Sequence, residues 1–198
     1  MKKMLVLVVI LVVGVGVILV GCKATRGGYE SAPYRVVRSD GKCELRDYPS
    51  LTVVETPMAE AGNDADGSFR RLFRFITGRN EGQQKIAMTT PVFMAGGGSN
   101  ATMAFVMPAQ LKAAAVPKPA DELVKVRELE AGRFAVLRFS GGRSADSEAE
   151  ALGRLQTWMA AQKLRAAPGP VYGYFDPPWT PAFARRNEVM LRVEPRQP

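Results

Sequence analysis

Histidine is absent from the 198-residue sequence, and there are only two cysteines. Without histidine the chain cannot form a Ser-His-Asp or Cys-His catalytic relay, a histidine-ligated metal centre or a histidine-ligated haem. Two cysteines are too few for a disulfide-stabilised scaffold or a cysteine-rich zinc site. These absences exclude the most common catalytic and metal-binding arrangements before any motif is considered.

Acidic residues are in the minority, with 19 Asp and Glu against 27 Lys and Arg, a formal net charge of +8. The basic residues are scattered along the chain instead of forming a cluster, so nucleic acid is not expected as a partner. Anionic lipid headgroups or an anionic ligand are better candidates for what the charge binds. Hydrophobic residues make up 46% of the chain, which is typical of a globular protein and excludes a disordered one.

The N-terminus has the composition of a secretory signal. Lys2 and Lys3 precede an uncharged apolar run over residues 4–20, and small residues with Cys22 follow it. The ending resembles the bacterial lipobox, whose cysteine carries a diacylglycerol after cleavage. We therefore predict a signal peptide at 1–21, a tether at 22–31 lipidated on Cys22, and a lipid-anchored protein of the cell envelope. In a cell with an outer membrane, we expect it there, facing the periplasm. The alternative is an uncleaved membrane anchor.

The rest of the chain, residues 32–196, predicts one α+β domain built from a duplicated ββαββ unit. The first half comprises strands 42–48 and 51–55, a helix at 68–77, and strands 85–94 and 102–107. The second half comprises strands 124–129 and 133–139, predicted as a hairpin, a helix at 147–165, and strands 171–175 and 188–193. Ser147 and Glu150 have the spacing of a capping box for that helix. The repeat indicates two pseudo-symmetric halves whose antiparallel strands curl toward a distorted β-barrel with two helices.

Apolar residues in the first predicted helix recur at helical spacing. Phe69, Leu72, Phe73 and Ile76 occupy positions i, i+3, i+4 and i+7, while Arg74 lies off this stripe. Such a stripe usually faces the core of a small domain. The sequence therefore favours burial for both phenylalanines and solvent exposure for the arginine.

Several sequence blocks, taken together and in order, resemble the SOUL haem-binding protein family. The blocks are ELRDY at 44–48, KIAMTTPV at 85–92, FVMP at 105–108, YFDPPWTP at 174–181 and RRNEV at 185–189. The resemblance covers about residues 33–194. It implies the family's distorted β-barrel, made of a duplicated unit with two helices, which agrees with the repeat described above.

The resemblance also implies a site for haem or another tetrapyrrole on one face of the first helix. Aligning the helix end at 77–80 with the family puts Phe69 and Phe73 on that face, with Arg74 beside it. Aromatic rings can stack on a macrocycle, and an arginine can pair with a propionate. Met88 would supply an adaptable wall, or alternatively fill core space. Since histidine is absent, haem would be held by the pocket, or by a weak ligand such as methionine, tyrosine or Cys43.

Glu188, at the start of the last predicted strand, is the alternative candidate. The fold resembles the effector-binding domain of bacterial multidrug regulators, where a carboxylate deep in the cavity attracts cationic drugs. Glu188 is the residue to test for that role, or for a small-molecule hydrolase of related fold. A purely structural latch with Asp176, Arg185 and Arg186 is the competing interpretation. No set of catalytic residues is visible, so a binding protein is expected rather than an enzyme.

Overall fold

The computed structural model describes residues 28–58 and 67–195. The predicted signal peptide, the lipidation site Cys22 and the first part of the tether lie outside the described residues. Within the described ranges no helix is both long and apolar enough to cross a membrane. The predicted domain, apart from residues 59–66 and 196, falls inside these ranges.

Strands and two α-helices follow one another along the described chain. The strands are β1 (Glu30–Ser31), β2 (Arg35–Asp40), β3 (Cys43–Tyr48), β4 (Leu51–Pro57), β5 (Thr89–Thr90), β6 (Val92–Ala95), β7 (Thr102–Val106), β8 (Lys125–Leu129), β9 (Gly132–Phe139), β10 (Val171–Tyr174) and β11 (Asn187–Arg192). The helices are α1 (Ser68–Ile76) and α2 (Ala145–Ala161). β1 and β5 form a short parallel pair, and the other described strands form one antiparallel sheet in the order β2-β3-β9-β11-β10-β6-β7-β4-β8.

The strand order confirms the duplicated unit. Without the edge strand β2, the sheet consists of two groups of four strands, β3-β9-β11-β10 and β8-β4-β7-β6, which meet at the pair β6–β10. Each position in one group is filled by the strand that corresponds, in the other half of the chain, to the strand at that position in the other group. The first strand of each half, however, pairs with the other half: β3 lies on β9, and β8 lies on β4. The two halves are therefore interlocked by strand exchange, and each completes the sheet of the other.

The predicted hairpin of residues 124–129 and 133–139 was wrong. β8 and β9 are consecutive, but they lie far apart in the sheet. The guanidinium of Arg192 donates to the carbonyl oxygens of Glu130, at 2.8 Å, and Ala131, at 3.1 Å, in the connection between them. These carbonyl groups are thus satisfied by a side chain and need no hairpin turn. The short strand β1 and the exposed edge strand β2 were not predicted either.

Both helices pack on the same face of the sheet. α1 covers β4 and β7 through buried side chains that include Leu72 and Phe75. α2 covers β9 and β11 through Leu155 and Met159. The registers between β4 and β11 place these contacts on one side of the pleat, since side chains alternate along each strand.

The other face of the sheet is the inside of a curl. Val53 of β4, Tyr48 of β3 and Met190 of β11 belong to one buried cluster, although β3 and β4 lie near opposite ends of the strand order. In a flat sheet these strands would be far apart, because adjacent strands are about 4.8 Å from each other. The sheet therefore curls into a half-barrel, which confirms the predicted α+β, barrel-like fold.

The predicted apolar stripe of α1 was wrong in part. Leu72 and Ile76 are buried, but Ser68 and Phe75 complete the buried face, while Phe69 and Phe73 are 36% and 45% exposed. The buried hydroxyl of Ser68 lies against the sulfur of Met103, at 3.7 Å, so this small polar residue occupies a core position.

A side chain of the helix itself fixes this rotation. The guanidinium of Arg71 donates to the hydroxyl of Thr56, at 3.0 Å, and to the carbonyl of Pro57, at 2.7 Å, at the end of β4. These hydrogen bonds tie one side of α1 to the sheet. The two phenylalanines consequently flank the buried face instead of forming it.

The predicted capping box of α2 was also wrong. The helix begins at Ala145, and Ser144 is its N-cap, with a side-chain oxygen that accepts a hydrogen bond from the backbone N–H of Ser147 at 3.2 Å. An earlier serine therefore takes the role assigned to Ser147. The helix ends at Ala161, four residues before the predicted end.

Substitution of two adjacent residues distinguishes the two faces of α1. Leu72→Ala removes a fully buried side chain, so we expect the free energy of unfolding to fall by about 2–5 kcal/mol. Phe73→Ala removes an exposed ring and should cost about 1 kcal/mol or less. Urea unfolding followed by circular dichroism measures both changes, and equal losses would show that Phe73 is a core residue.

Candidate functional site

The exposed side of α1 carries two aromatic rings in fixed positions. The ring centroids of Phe69 and Phe73 lie 6.0 Å apart with an angle of 14° between their planes. The ring of Phe69 also packs against the ring of buried Phe105 in a T-shaped arrangement, with the ring centroids 5.2 Å apart. Two nearly parallel apolar rings are therefore held at the surface by contact with the core.

Cationic side chains accompany these rings. Arg70 and Arg74 are exposed and, like the phenylalanines, are separated by one helical turn. Among the carboxylates of the described residues, none forms an ion pair with either arginine. This part of α1 thus combines exposed aromatic surface with cations that are available to an anionic ligand.

Met88 belongs to the same side of the molecule. It is half-buried and packs against the cluster that contains Leu72 and Phe75 of α1. The segment before it is joined to the helix by a backbone hydrogen bond from Ile86 to Ile76, at 2.8 Å. The side chain of Met88 therefore packs against the core beneath α1, as its predicted role as core filler requires, and its role as the wall of a ligand site stays a prediction.

Asn80 holds this segment in place and was missed by the sequence analysis. Its amide nitrogen donates to the carbonyl oxygens of Phe75, at 2.9 Å, and Gln84, at 2.8 Å, while its oxygen accepts from the N–H of Gln84 at 2.9 Å. The buried amide thus ends α1 and starts the segment that leads to Met88. Its position directly after the glycine-containing helix end was the available signal.

Glu188 lies on the inner face of the half-barrel, in a buried ion pair. Its two oxygens accept from Arg46, at 2.7 and 3.0 Å, in a bidentate arrangement, and both side chains are almost completely buried. Arg46 also donates to Glu44 at 2.7 Å and to Tyr48 at 3.0 Å. Its guanidinium carbon lies 4.1 Å from the ring centroid of Tyr34.

Two further arginines surround the same carboxylate. Arg186 donates to Glu188 at 2.6 and 3.0 Å, and the Nε atom of Arg138 lies 3.2 Å from it. Burial alone would raise the pKa of Glu188, but the hydrogen bonds and charges of Arg46 and Arg186 outweigh burial, so the pKa is lowered. Glu188 is therefore a carboxylate anion at neutral pH.

This environment bears on the alternative role of Glu188. A cationic ligand would have to displace an arginine from the carboxylate and leave that arginine unpaired. A hydrolase would need a base with a free oxygen, whereas here guanidinium groups occupy both oxygens. The geometry agrees with the interpretation of Glu188 and Arg186 as part of a structural latch. Arg46 and Glu44 extend this latch, although the sequence had not assigned either residue a role. Their alternation with apolar residues on a strand was the only sequence signal.

An apolar cavity adjoins this network on the inner face. It has a volume of about 110 Å³, and its lining includes Tyr48, Phe93, Phe134 and Met190. Pockets that enclose drug-sized ligands usually measure about 300–1,000 Å³. A tetrapyrrole would not fit inside this cavity.

Cys43 is poorly suited to bind a ligand at α1. It is buried in the cluster beneath α2, and burial, followed by the charge of Asp40, raises the pKa of its thiol. Within the described residues no group of three or more acidic or cysteine side chains is arranged to hold a metal ion.

Comparison with known proteins identifies the family. The sequence matches the SOUL heme-binding protein family over residues 29–192. The chain belongs to this family. No protein with a curated description matches the sequence. The family match spans all the described strands and both helices, so the SOUL domain is the entire described unit.

Solved structures share the fold of this SOUL domain at low sequence identity. The EcmrR C-terminal domain is 12% identical, with a TM-score of 0.57, over 81% of this chain and 98% of that one. An uncharacterized conserved protein from Listeria innocua is 12% identical, with a TM-score of 0.59, over 77% and 92%. A hydrolase from Listeria innocua is 10% identical, with a TM-score of 0.55, over 80% and 94%. At this level of identity the likeness establishes the fold alone.

Arg46→Met should strongly destabilise the SOUL domain. The substitution leaves the buried carboxylate of Glu188 without its main partner, so we expect the free energy of unfolding to fall by about 3–5 kcal/mol. Arg46→Met/Glu188→Leu removes both charges and should recover much of that loss. Arg35→Met, which breaks an exposed pair with Asp47, is the matched control and should cost about 1 kcal/mol or less. Urea unfolding measures all three; if the double variant is no more stable than Arg46→Met, the pair is not coupled.

The pH dependence of stability reports on the same carboxylate. Because folding lowers the pKa of Glu188 below its ordinary value of 4.5, its contribution is present above that pH and is lost as the pH falls through the folded pKa. Glu188→Gln should therefore be less stable than wild type at neutral pH and lose less on acidification. Urea unfolding between about pH 3 and pH 7 measures the difference. Parallel curves for the two proteins would contradict the assignment.

Proposed function

We propose that this SOUL domain binds haem or another tetrapyrrole on the exposed face of α1 and holds it reversibly. The observation that supports this function best is the pair of exposed, nearly parallel rings of Phe69 and Phe73 beside Arg74. A ligand complementary to this surface would be flat, apolar and partly anionic. A tetrapyrrole macrocycle with carboxylate side chains has all three properties.

The residues of α1 have separate tasks in this proposal. Phe69 and Phe73 stack on the macrocycle and bury its apolar surface, at about 25 cal/mol per Å² before the cost of lost motion. Arg70 and Arg74 pair with propionates through charge-assisted hydrogen bonds. Bound haem would bring an iron centre, but the chain contains no histidine to ligate it. The affinity in this proposal therefore comes from the macrocycle and its carboxylates.

We further propose that the protein works at the cell envelope, anchored by a lipid on Cys22. The apolar run at 4–20 followed by a lipobox-like ending supports this location. A binding role is proposed in preference to an enzymatic one, because Glu188, the most buried carboxylate among the described residues, is already occupied by guanidinium groups. For the same reason the proposal does not include cationic amphiphiles held by Glu188.

Absorbance titration of the detergent-solubilised full chain with haemin and protoporphyrin IX tests the proposal. Without a strong iron ligand, the two dissociation constants should agree within about tenfold, a difference of about 1.4 kcal/mol or less. Phe73→Ala should weaken both ligands, and Arg74→Glu should weaken both by reversing the charge that meets a propionate. Leu123→Ala, at an exposed apolar residue outside α1, should change neither.

Two results would contradict the proposal. A titration without a spectral change beyond that of empty detergent would exclude tetrapyrrole binding. Haemin affinity about a hundredfold above that of protoporphyrin IX would show that the chain supplies an iron ligand. Met88 would then be the first residue to replace.

A further inference from the structure

The connection between β10 and β11 presents two large aromatic side chains to solvent. Trp179 is 76% exposed and Phe183 is 68% exposed, the highest values among the large hydrophobic side chains of the described residues. Apolar rings with this exposure stand out in a domain whose other described aromatic residues are mostly buried or half-buried. We call residues 176–186 the tryptophan loop.

Hydrogen bonds within the tryptophan loop hold it in a defined conformation. The guanidinium of Arg185 folds back to the carbonyl oxygens of Thr180, at 2.7 Å, and Pro178, and the backbone N–H of Arg186 donates to the carboxylate of Asp176 at 2.6 Å. Thr180, a residue of the loop itself, is buried at 4% exposure. The inner side of the loop is therefore fastened, and its fold directs both rings outward.

A second set of contacts fixes the loop to the connection between β9 and α2. The backbone N–H of Gly141 donates to the carbonyl of Ala182 at 3.0 Å, and the side chain of Asn187 donates to the carbonyl of Gly141 at 3.1 Å. Ala182 begins the short helical turn that carries Phe183. The exposed rings consequently have little freedom to turn inward and bury themselves.

The loop lies at the end of the sheet where the described chain begins. Arg186 donates to the hydroxyl of Tyr34 at 3.4 Å. Close by, β1 pairs with Thr89 and Thr90, which directly precede β6, and the first residue of β6, Val92, pairs with Tyr174 just before the loop. The chain that leads to the apolar run at 4–20 therefore enters the domain beside the tryptophan loop.

Charge near the loop suits an anionic surface. Arg185 bonds to carbonyl oxygens, and among the described carboxylates none neutralises it by an ion pair. Arg143 lies near the loop as well, with its guanidinium carbon 5.6 Å from the ring centroid of Tyr174, but it is paired with Glu148 at 3.3 Å, so Arg185 is the cation that the loop itself offers. Tryptophan and phenylalanine beside arginine match the interface of a bilayer, where the rings enter the headgroup region and the cations meet lipid phosphates.

We propose that the tryptophan loop docks on the bilayer that holds the N-terminal segment, with Trp179 and Phe183 inserted into its interfacial region. This contact is independent of tetrapyrrole binding and works with either a lipidated Cys22 or an uncleaved apolar anchor. It would orient the domain, because a single point of attachment leaves rotation about that point free, whereas attachment plus docking does not.

Tryptophan fluorescence of the full chain tests the proposal. The sequence has two tryptophans, so Trp158→Phe leaves Trp179 as the single reporter. In vesicles of equimolar phosphatidylcholine and phosphatidylglycerol, lipids brominated on the upper acyl chain should reduce its emission by about half or more, and iodide should have little effect. Phe183→Ser in the same background should weaken the lipid quenching.

A matched control places the reporter elsewhere. Leu123 is 50% exposed and precedes β8 at the end of the sheet where β10 begins, opposite the tryptophan loop. With Trp158→Phe and Trp179→Phe as background, Leu123→Trp should be quenched by iodide and not by brominated lipid. If Trp158→Phe disturbs the fold, the difference between wild type and Trp179→Phe isolates the same signal.

Two outcomes would overturn the proposal. If Trp179 is quenched by iodide as strongly as the reporter at position 123, the loop faces water. If Trp179 is shielded from both iodide and brominated lipid, the loop is covered by protein, and its partner is another copy of the chain. Quenching by brominated lipid alone supports docking on the bilayer.

Discussion

The buried pair of Arg46 and Glu188 is the interaction that constrains the strand arrangement. Arg46 lies on the first strand of the first half and Glu188 on the last strand of the second half, with β9 between them. A charge left alone inside a protein costs several kcal/mol, so arrangements that separate these side chains are disfavoured. If β3 paired within its own half, Arg46 would lose this carboxylate. The ion pair therefore favours the exchanged arrangement of strands.

The same network fills part of the inner face of the half-barrel. Arg46, Arg138 and Arg186 with their carboxylates occupy one end of the inner face, and apolar side chains leave only a small cavity at the other. That cavity is smaller than a tetrapyrrole. On the outer face of the sheet, α1 combines a buried side that anchors it with an exposed side that carries Phe69 and Phe73.

Similarity of fold and assignment of function rest on different observations. The half-barrel is shared with the EcmrR C-terminal domain and with a hydrolase from Listeria innocua, but at identities that carry no functional residues across. Membership of the SOUL family rests on the sequence itself, over nearly the whole described domain. A common fold hosts different functions, which are decided by particular side chains. In this chain the proposed functions rest on the exposed residues of α1 and, for membrane contact, on the tryptophan loop.

The sequence alone determined much of the local structure. Alternating and helical patterns placed the principal strands and both helices within a few residues, and the repeated order of elements predicted the duplicated unit. The absence of histidine excluded whole classes of catalytic and metal sites. These features depend on neighbouring residues or on composition, which the sequence shows directly.

Only the tertiary structure decided which strands pair and which side chains meet. Alternation indicates the face on which a residue lies but not its partner strand, so β8 and β9 resemble a hairpin that does not form. Arg46, the bidentate partner of Glu188, is 142 positions away, beyond any local pattern. Phe69 and Phe73 fit a core stripe by spacing, yet Ser68 takes the buried position because Arg71 fixes the rotation of the helix. Each of these outcomes depends on contacts between distant segments, which exist only once the chain has folded.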